Sequence, residues 1–354
     1  MSQIKVTANA SGTGVVTVTS PNTNTNRSLL LPDASDTLVG QATADTLSNK
    51  TLASPAVTGT MSINSNNLSP FTLKNRIING GMIVDQRNAG ASQTFTAAAA
   101  IAYSVDRFYG SCTGANVTGQ QTTGPTGFAK CYQFTGAASV TQILFGQRIE
   151  SNNCYDLVNQ NVVLSVNMSN SVLTTVTWTA YYANSADTFS SKTQIATGTW
   201  TVSSTATNYS ATFNAGANAG NGIAIEFTVG AQTSGTWKIT GVQLELGTVA
   251  SPFEIKPIGM ELALCQRYYQ KWTAAWSGVA AGVSYNITSS TGFSVTMRAT
   301  PTAGVTSQTN SARYPSSAYS VFNIYPYGIT AVYAAQSAGG NENWYVDGTA
   351  SIEL

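Results

Sequence analysis

The sequence predicts a mainly β protein, and three observations carry that expectation. Ser, Thr, Asn, Gly and Ala dominate, with β-branched and aromatic residues between them and charged residues at only 9%, a composition suited to a β-rich, loop-rich chain. From residue 75 onward, short alternating apolar–polar runs recur between Gly, Asn and Ser clusters, as in a sandwich or jelly roll. One stretch alone has helical spacing. At 354 residues the chain is long enough for two to three domains, each with its own core. The expected boundaries are an extended segment over 1–74, a jelly-roll-like sandwich over 75–256, a linker and junction helix over 257–272, and a small β domain over 273–354.

The first segment holds only sparse apolar positions. Val6, Val15, Val16 and Val18 mark one short alternating run, Arg27 to Leu31 another, and then come isolated pairs such as Thr46-Leu47, Thr51-Leu52 and Ala56-Val57. Elements this sparse do not bury a face alone. The segment is either a disordered Asn/Ser/Thr-rich linker or a stretch in which identical copies pool their apolar residues.

In the sandwich, the expected strands are Arg76-Ile77-Ile78, Met82-Ile83-Val84, Ala129 to Phe134, Val162 to Val166, Val172 to Tyr182, Ala211-Thr212-Phe213, Ile223 to Val229 and Trp237 to Leu246. Val172 to Tyr182 has one apolar side and one Thr-rich side, the mark of an antiparallel sheet with one wet face. Asp106 and Arg107 read as a local ion pair or turn support.

Trp237 to Trp272 changes character twice. A strand ends at Gly247, Pro252 and Pro257 bar helix from the linker, and helical spacing starts at Gly259. Ile258, Leu262, Cys265, Tyr269 and Trp272 recur at spacings of four, three, four and three, a narrow heptad seam that predicts a helix over Gly259 to Trp272, packed either on a neighbouring sheet or against its own copies. Glu261 near its start and Arg267 and Lys271 near its end complement the helix dipole.

The last domain is expected to use strands at Val283 to Ile287, Phe293 to Met297, Ser320 to Ile324, Ile329 to Tyr333 and Asn343 to Val346, with an aromatic loop over Ser307 to Gly328. An aromatic ring covers the C–H face of a pyranose while amides and carboxylates bond its hydroxyls. The candidate set is Arg313, Tyr314, Tyr325, Tyr327, Asn341, Trp344 and Tyr345, with Asn310, Asn343 and Asp347 as polar neighbours. Asp347-Gly348 by itself reads as a turn.

Several chemistries are excluded or disfavoured. The net charge is +1 and no basic patch stands out, so nucleic acid is not an expected partner. There is no histidine, which removes Ser-His-Asp and Cys-His catalysis. Cys112, Cys131, Cys154 and Cys265 lack CxxC spacing, so no metal or other cofactor is expected and the thiols read as small buried hydrophobes. Glu245 and Glu254 frame the linker, but nothing in the sequence places two carboxylates on one cleft as a glycosidase needs. No transmembrane run and no signal peptide are present, so the chain is expected to fold in a cytoplasm without membrane insertion.

Three stretches resemble bacteriophage tail-fibre and receptor-binding proteins. VQLELGTVASPFE followed by GMELALCQRYYQKW resembles the junction between a β-sandwich and a following helix in that family; NRIINGGMIVDQRNAG with YSVDRFY resembles the start of the same module; TLSNKTLASPAVTG resembles fibre-shaft segments. Gly81 departs from the Asp or aromatic usual there. The sandwich is similar in shape to carbohydrate-binding modules. The resemblance implies a homotrimeric virion appendage made in the host cytoplasm, joined through residues 1–74 to other tail or neck proteins, with an axial helix and a C-terminal tip that touches a host surface glycan without enzymatic activity. A structural neck or head fibre and a glycan depolymerase are the alternatives.

Overall fold

The computed structural model describes residues 11–15, 17, 22–26, 73–279, 285–310, 319–335 and 341–354. The chain divides into two units, Met1–Ser62 and Ile63–Leu354. The described residues of the first are exposed and in neither strand nor helix. Val15 is among them; Val6, Val16, Val18, the isolated apolar pairs and the shaft-like stretch lie outside the described residues.

The second unit opens with strands β1 (Gln93–Phe95), β2 (Ala102–Tyr103), β3 (Phe108–Thr113), β4 (Val117–Thr123), β5 (Lys130–Thr135), β6 (Gln142–Ile149), β7 (Asn161–Asn170), β8 (Thr175–Ser185), β9 (Thr188–Thr201), β10 (Thr207–Asn214), β11 (Ile223–Val229) and β12 (Thr236–Leu246). They form two six-stranded sheets, β1-β4-β5-β12-β7-β10 and β2-β3-β6-β11-β8-β9, paired antiparallel throughout. This is a β-sandwich. In β8, Val176, Trp178 and Ala180 are buried while Thr175, Thr177 and Thr179 are not, the expected one-sided pattern. Between the sheets, Tyr132 stacks on Phe145 with centroids 5.0 Å apart and Phe134 on Trp237 at 5.4 Å. The four cysteines are free and buried.

The chain then runs through α1 (Ile258–Gln266) into β13 (Tyr269–Val279), β14 (Tyr285–Gly292), β15 (Thr302–Asn310), β16 (Tyr319–Tyr325), β17 (Gly328–Ala335) and β18 (Asn341–Ser351). These make two three-stranded sheets, β13-β18-β15 and β14-β17-β16. Trp272, Ala274, Met297, Ile329, Val346 and Ala350 form a small core there.

Several expectations are corrected. The helix ends at Gln266, and Tyr269 and Trp272 lie on β13, paired with Ser351 and Gly348. The reason is tertiary. The Arg298 N–H donates to the Arg267 carbonyl and the Ile352 N–H to the Tyr268 carbonyl, each at 2.9 Å, which turns the chain from helix to strand. The seam Ile258, Leu262, Cys265, Tyr269, Trp272 is therefore not one helical stripe. Cys265, Tyr269 and Trp272 are buried in the chain's own packing, Leu262 is half-buried, and Ile258 is exposed.

Arg76 to Ile78 and Met82 to Val84 are not strands. That segment is a polar staple. Asn75 Oδ1 accepts from the Ile77 and Leu244 N–H groups, and Asn75 Nδ2 donates to the Val242 carbonyl. Asn79 Nδ2 donates to the Val84 and Asp106 carbonyls. The side chain of Gln147 bonds both the N–H and the carbonyl of Ile78. Side chains thus satisfy backbone that no ladder reaches. Gly80 is required there, because a Cβ would sit 2.1 Å from the Val242 carbonyl oxygen.

Phe293 to Met297 is not a strand either, and β15 and β16 occupy parts of the expected aromatic loop. Asp347-Gly348 lies inside β18 rather than at a turn. Asp106 and Arg107 do not pair with each other. The Asp106 carboxylate accepts from Gln86 Nε2 at 2.9 Å, and Arg107 pairs with Glu353 and lies 3.5 Å from the Tyr268 ring centroid.

Candidate functional site

The C-terminal domain brings two of the expected binding residues together. β16 and β17 form a hairpin whose two-residue turn is Pro326-Tyr327, with Tyr325 opposite Gly328. A bulge between Phe322 and Ile324, with Asn323 in the left-handed region at φ 42°, sets which residues face in. Ile324 packs on the small core while Tyr325 is 42% exposed and Tyr327 61% exposed. Their rings stack with centroids 5.1 Å apart and planes 4° from parallel.

The turn is held from behind. The Phe293 N–H donates to the Tyr327 carbonyl at 2.9 Å and the Met297 N–H to the Pro326 carbonyl at 2.7 Å. Gly328 lets the backbones close, since a Cβ there would meet the Thr291 carbonyl oxygen at 2.6 Å. Phe293 to Met297, expected as a strand, instead buttresses this hairpin. The result is a fixed pair of solvent-facing rings on a small scaffold, with a phenol hydroxyl on each as donor and acceptor.

Tyr345 stands on a different sheet. It is 49% exposed on β18, opposite Ala275 and Thr309. Two residues on, Asp347 accepts from Thr273 Oγ1 at 2.7 Å and Ser307 Oγ at 2.8 Å. The Thr273 and then the Ser307 hydroxyl hold its carboxyl below the usual Asp value. Asn341, Asn343 and Trp344 lie on β18 and Asn310 ends β15. Arg313 and Tyr314 lie outside the described residues.

The linker carboxylates are structural. Glu245 accepts from the Ser251 N–H at 2.8 Å and from Ser251 Oγ at 2.6 Å, while Glu254 accepts from the Asn75 N–H at 3.0 Å. Among the described residues, no group of three or more His, Cys, Asp or Glu side chains is placed to hold a metal ion, and no helix is long and apolar enough to cross a membrane.

No family model matches the chain, and no curated protein matches it. Among solved structures, it is similar to the enzymatically active domain of tailspike protein 4 of bacteriophage CBA120, at 18% identity and a TM-score of 0.32, over 51% of this chain and 22% of that one. The chain thus spans about a fifth of the tailspike domain's length. It is also similar to a family 4 carbohydrate-binding module, at 14% identity and a TM-score of 0.32, over 48% of this chain and 98% of that one. A family 11 carbohydrate-binding module from Clostridium thermocellum, in complex with a mixed-linked β-1,3-1,4 tetrasaccharide, matches at 11% identity and a TM-score of 0.30, over 46% of this chain and 99% of that one.

Proposed function

We propose that the protein is a phage appendage of the tail-fibre kind that attaches to a host surface glycan through its C-terminal domain, without cleaving it. The observation that carries this is the stacked, exposed Tyr325–Tyr327 pair on a braced hairpin. Rings already fixed in place lose little conformational freedom on binding. The tail-fibre resemblance of the stretches around Asn75 and Val242 supplies the biological setting, including a virion location and attachment through residues 1–74.

The test is binding of the full chain to bacterial cells and to immobilised surface polysaccharides. Replacing Tyr325 and Tyr327 together by Ala is expected to weaken binding by about 10–100-fold, as for the loss of two central aromatic contacts. Full-strength binding by the folded double variant would remove the site. Release of oligosaccharide from bound polymer would turn the reading to a depolymerase, and no binding to any glycan would leave a purely structural fibre.

A homotrimer is part of the same proposal. Its contact surface is drawn from Ile255, Ile258 and Met260, which are 77%, 60% and 42% exposed across the linker and the start of α1, rather than from the buried Cys265, Tyr269 and Trp272. Ile258→Asp is expected to shift the sedimenting species from trimer to monomer, since a charge in an apolar contact is unfavourable. A monomeric wild-type chain at micromolar concentration would end the trimer reading.

A further inference from the structure

The outer face of the first sandwich sheet carries a walled cavity of about 200 Å³. Its floor is polar. Thr240 on β12 stands opposite Asn167 on β7, which stands opposite Asn208 on β10, and Lys238 stands opposite Ser169 in the next row. These side chains face away from the core because their neighbours Ile239, Val166 and Met168 face into it. The turn after β4 and the turn between β9 and β10 form the walls.

Two groups on this floor have unmet demands. Asn167 is 8% exposed, and its Nδ2 donates to Asn208 Oδ1 at 2.7 Å. Its Oδ1 is buried with no hydrogen-bond partner, an arrangement that costs about 1–3 kcal/mol until a donor arrives. Lys238 is half-buried and makes no ion pair among the described residues, and no carboxylate lines the cavity. Thr240 Oγ1 already donates to the Lys130 carbonyl at 2.8 Å, which leaves its oxygen free to accept. A fitting ligand therefore brings hydroxyl donors for Asn167 and Thr240 and a negative charge for Lys238. A space of about 200 Å³ is on the scale of one sugar ring.

We propose that this cavity binds one acidic sugar residue, with its carboxylate on Lys238 and a ring hydroxyl donating to Asn167 Oδ1. The ligand class rests on the glycan reading above, but the site is in the sandwich and is separate from the Tyr325–Tyr327 hairpin.

The test is calorimetric titration of the full chain with oligomers of galacturonate and of glucuronate, each beside its uncharged methyl ester. Wild type is expected to bind an acid form about tenfold or more tightly than its ester, the value of a hydrogen-bonded charge. Lys238→Met is expected to abolish that preference and Lys238→Arg to keep it, with unfolding curves confirming that both fold. Tyr325→Ala with Tyr327→Ala is expected to leave it unchanged. Absence of acid binding by wild type, equal binding of acid and ester, or full binding by Lys238→Met would overturn the proposal and leave the cavity to water. Loss of acid binding in the tyrosine variant would also overturn it, by moving the site to the C-terminal domain. If the tyrosine variant keeps cell adsorption while Lys238→Met loses uronate binding, the hairpin reading fails and the cavity stands.

Discussion

The sandwich and the C-terminal domain are both antiparallel β structures, yet they hold together differently. The sandwich buries a continuous aromatic core in which Phe95, Tyr132, Phe134, Phe145 and Trp237 are all close to fully covered. Among the described residues, the C-terminal core buries Trp272, with Met297, Ile329, Val346 and two alanines, and Phe293 packs against it partly covered. A core of that size contributes little, and the C-terminal strands are held to the sandwich by an apolar cluster of Ile78, Val84, Cys265 and Tyr268 together with ion pairs. Arg267 pairs with Glu150 at 2.9 Å, and the Tyr268 hydroxyl donates to the same carboxylate at 2.8 Å. Arg87 and Arg107 both pair with Glu353. The comparison teaches that the sandwich is the scaffold, and that the orientation of the Tyr325–Tyr327 hairpin relative to it depends on a small apolar cluster and a few ion pairs.

The comparison breaks if damage to the sandwich core spares the protein. Phe134→Ala removes a ring that touches Phe95, Tyr132, Phe145 and Trp237. It is expected to lower the unfolding free energy by about 3–5 kcal/mol, with β12 and β18 losing hydrogen-exchange protection together.

Glu353→Gln sharpens the comparison, because it touches only the docking. Arg107 is almost fully buried, keeps its 2.8 Å bond to the Arg148 carbonyl, and keeps the Tyr268 ring. The expected cost is therefore about 3 kcal/mol, the low end for breaking a buried pair. Exchange is expected to rise in β13 and β18 and to stay unchanged in β11 and β12. Equal loosening of both regions would mean that the docking contacts stabilise the whole molecule alike.

The smallest expected effect is acid sensitivity of the other contact, Glu150 with Arg267 and Tyr268. Burial pushes the Glu150 carboxyl up, but hydrogen bonds from Arg267 and Tyr268 outweigh it and hold the group below its usual value. A carboxyl lowered on folding adds stability above its unfolded value near 4.5, and that stability is lost as pH falls through the lower folded value. Urea unfolding from pH 6 down to 3 is expected to show this loss in wild type and a flatter profile in Glu150→Gln. Parallel profiles would assign the acid limb to other carboxylates.

Much of the sandwich was legible in the sequence. Val172 to Tyr182, Ile223 to Val229 and Trp237 to Leu246 announce themselves because a strand with one or two buried faces writes its burial into neighbouring residues. The strands β1, β2, β3, β4, β6 and β9 were missed. The last, rich in Thr and Ser with few large apolar residues, lies at a sheet edge with one wet face. At the candidate site, the aromatic run over Tyr325 and Tyr327 was visible, but its stacking needed the Phe293 to Met297 brace. The cavity had no signal at all, since Asn167 on β7 meets Lys238 and Thr240 on β12 only through strand register.

By itself the sequence determined the β class, the sandwich, the buried free thiols and the helical spacing after Pro257. These follow from local composition and periodicity, which act between residues a few positions apart. Only the tertiary structure decided where that helix stops, that Asn75 to Gly90 is a staple rather than a pair of strands, and that Arg107 pairs with Glu353 instead of Asp106. Each of those outcomes depends on a donor or a charge far along the chain. A spacing of three and four over a few residues fits a helix, but when distant N–H groups take the Arg267 and Tyr268 carbonyls, those carbonyls are satisfied without another turn of helix.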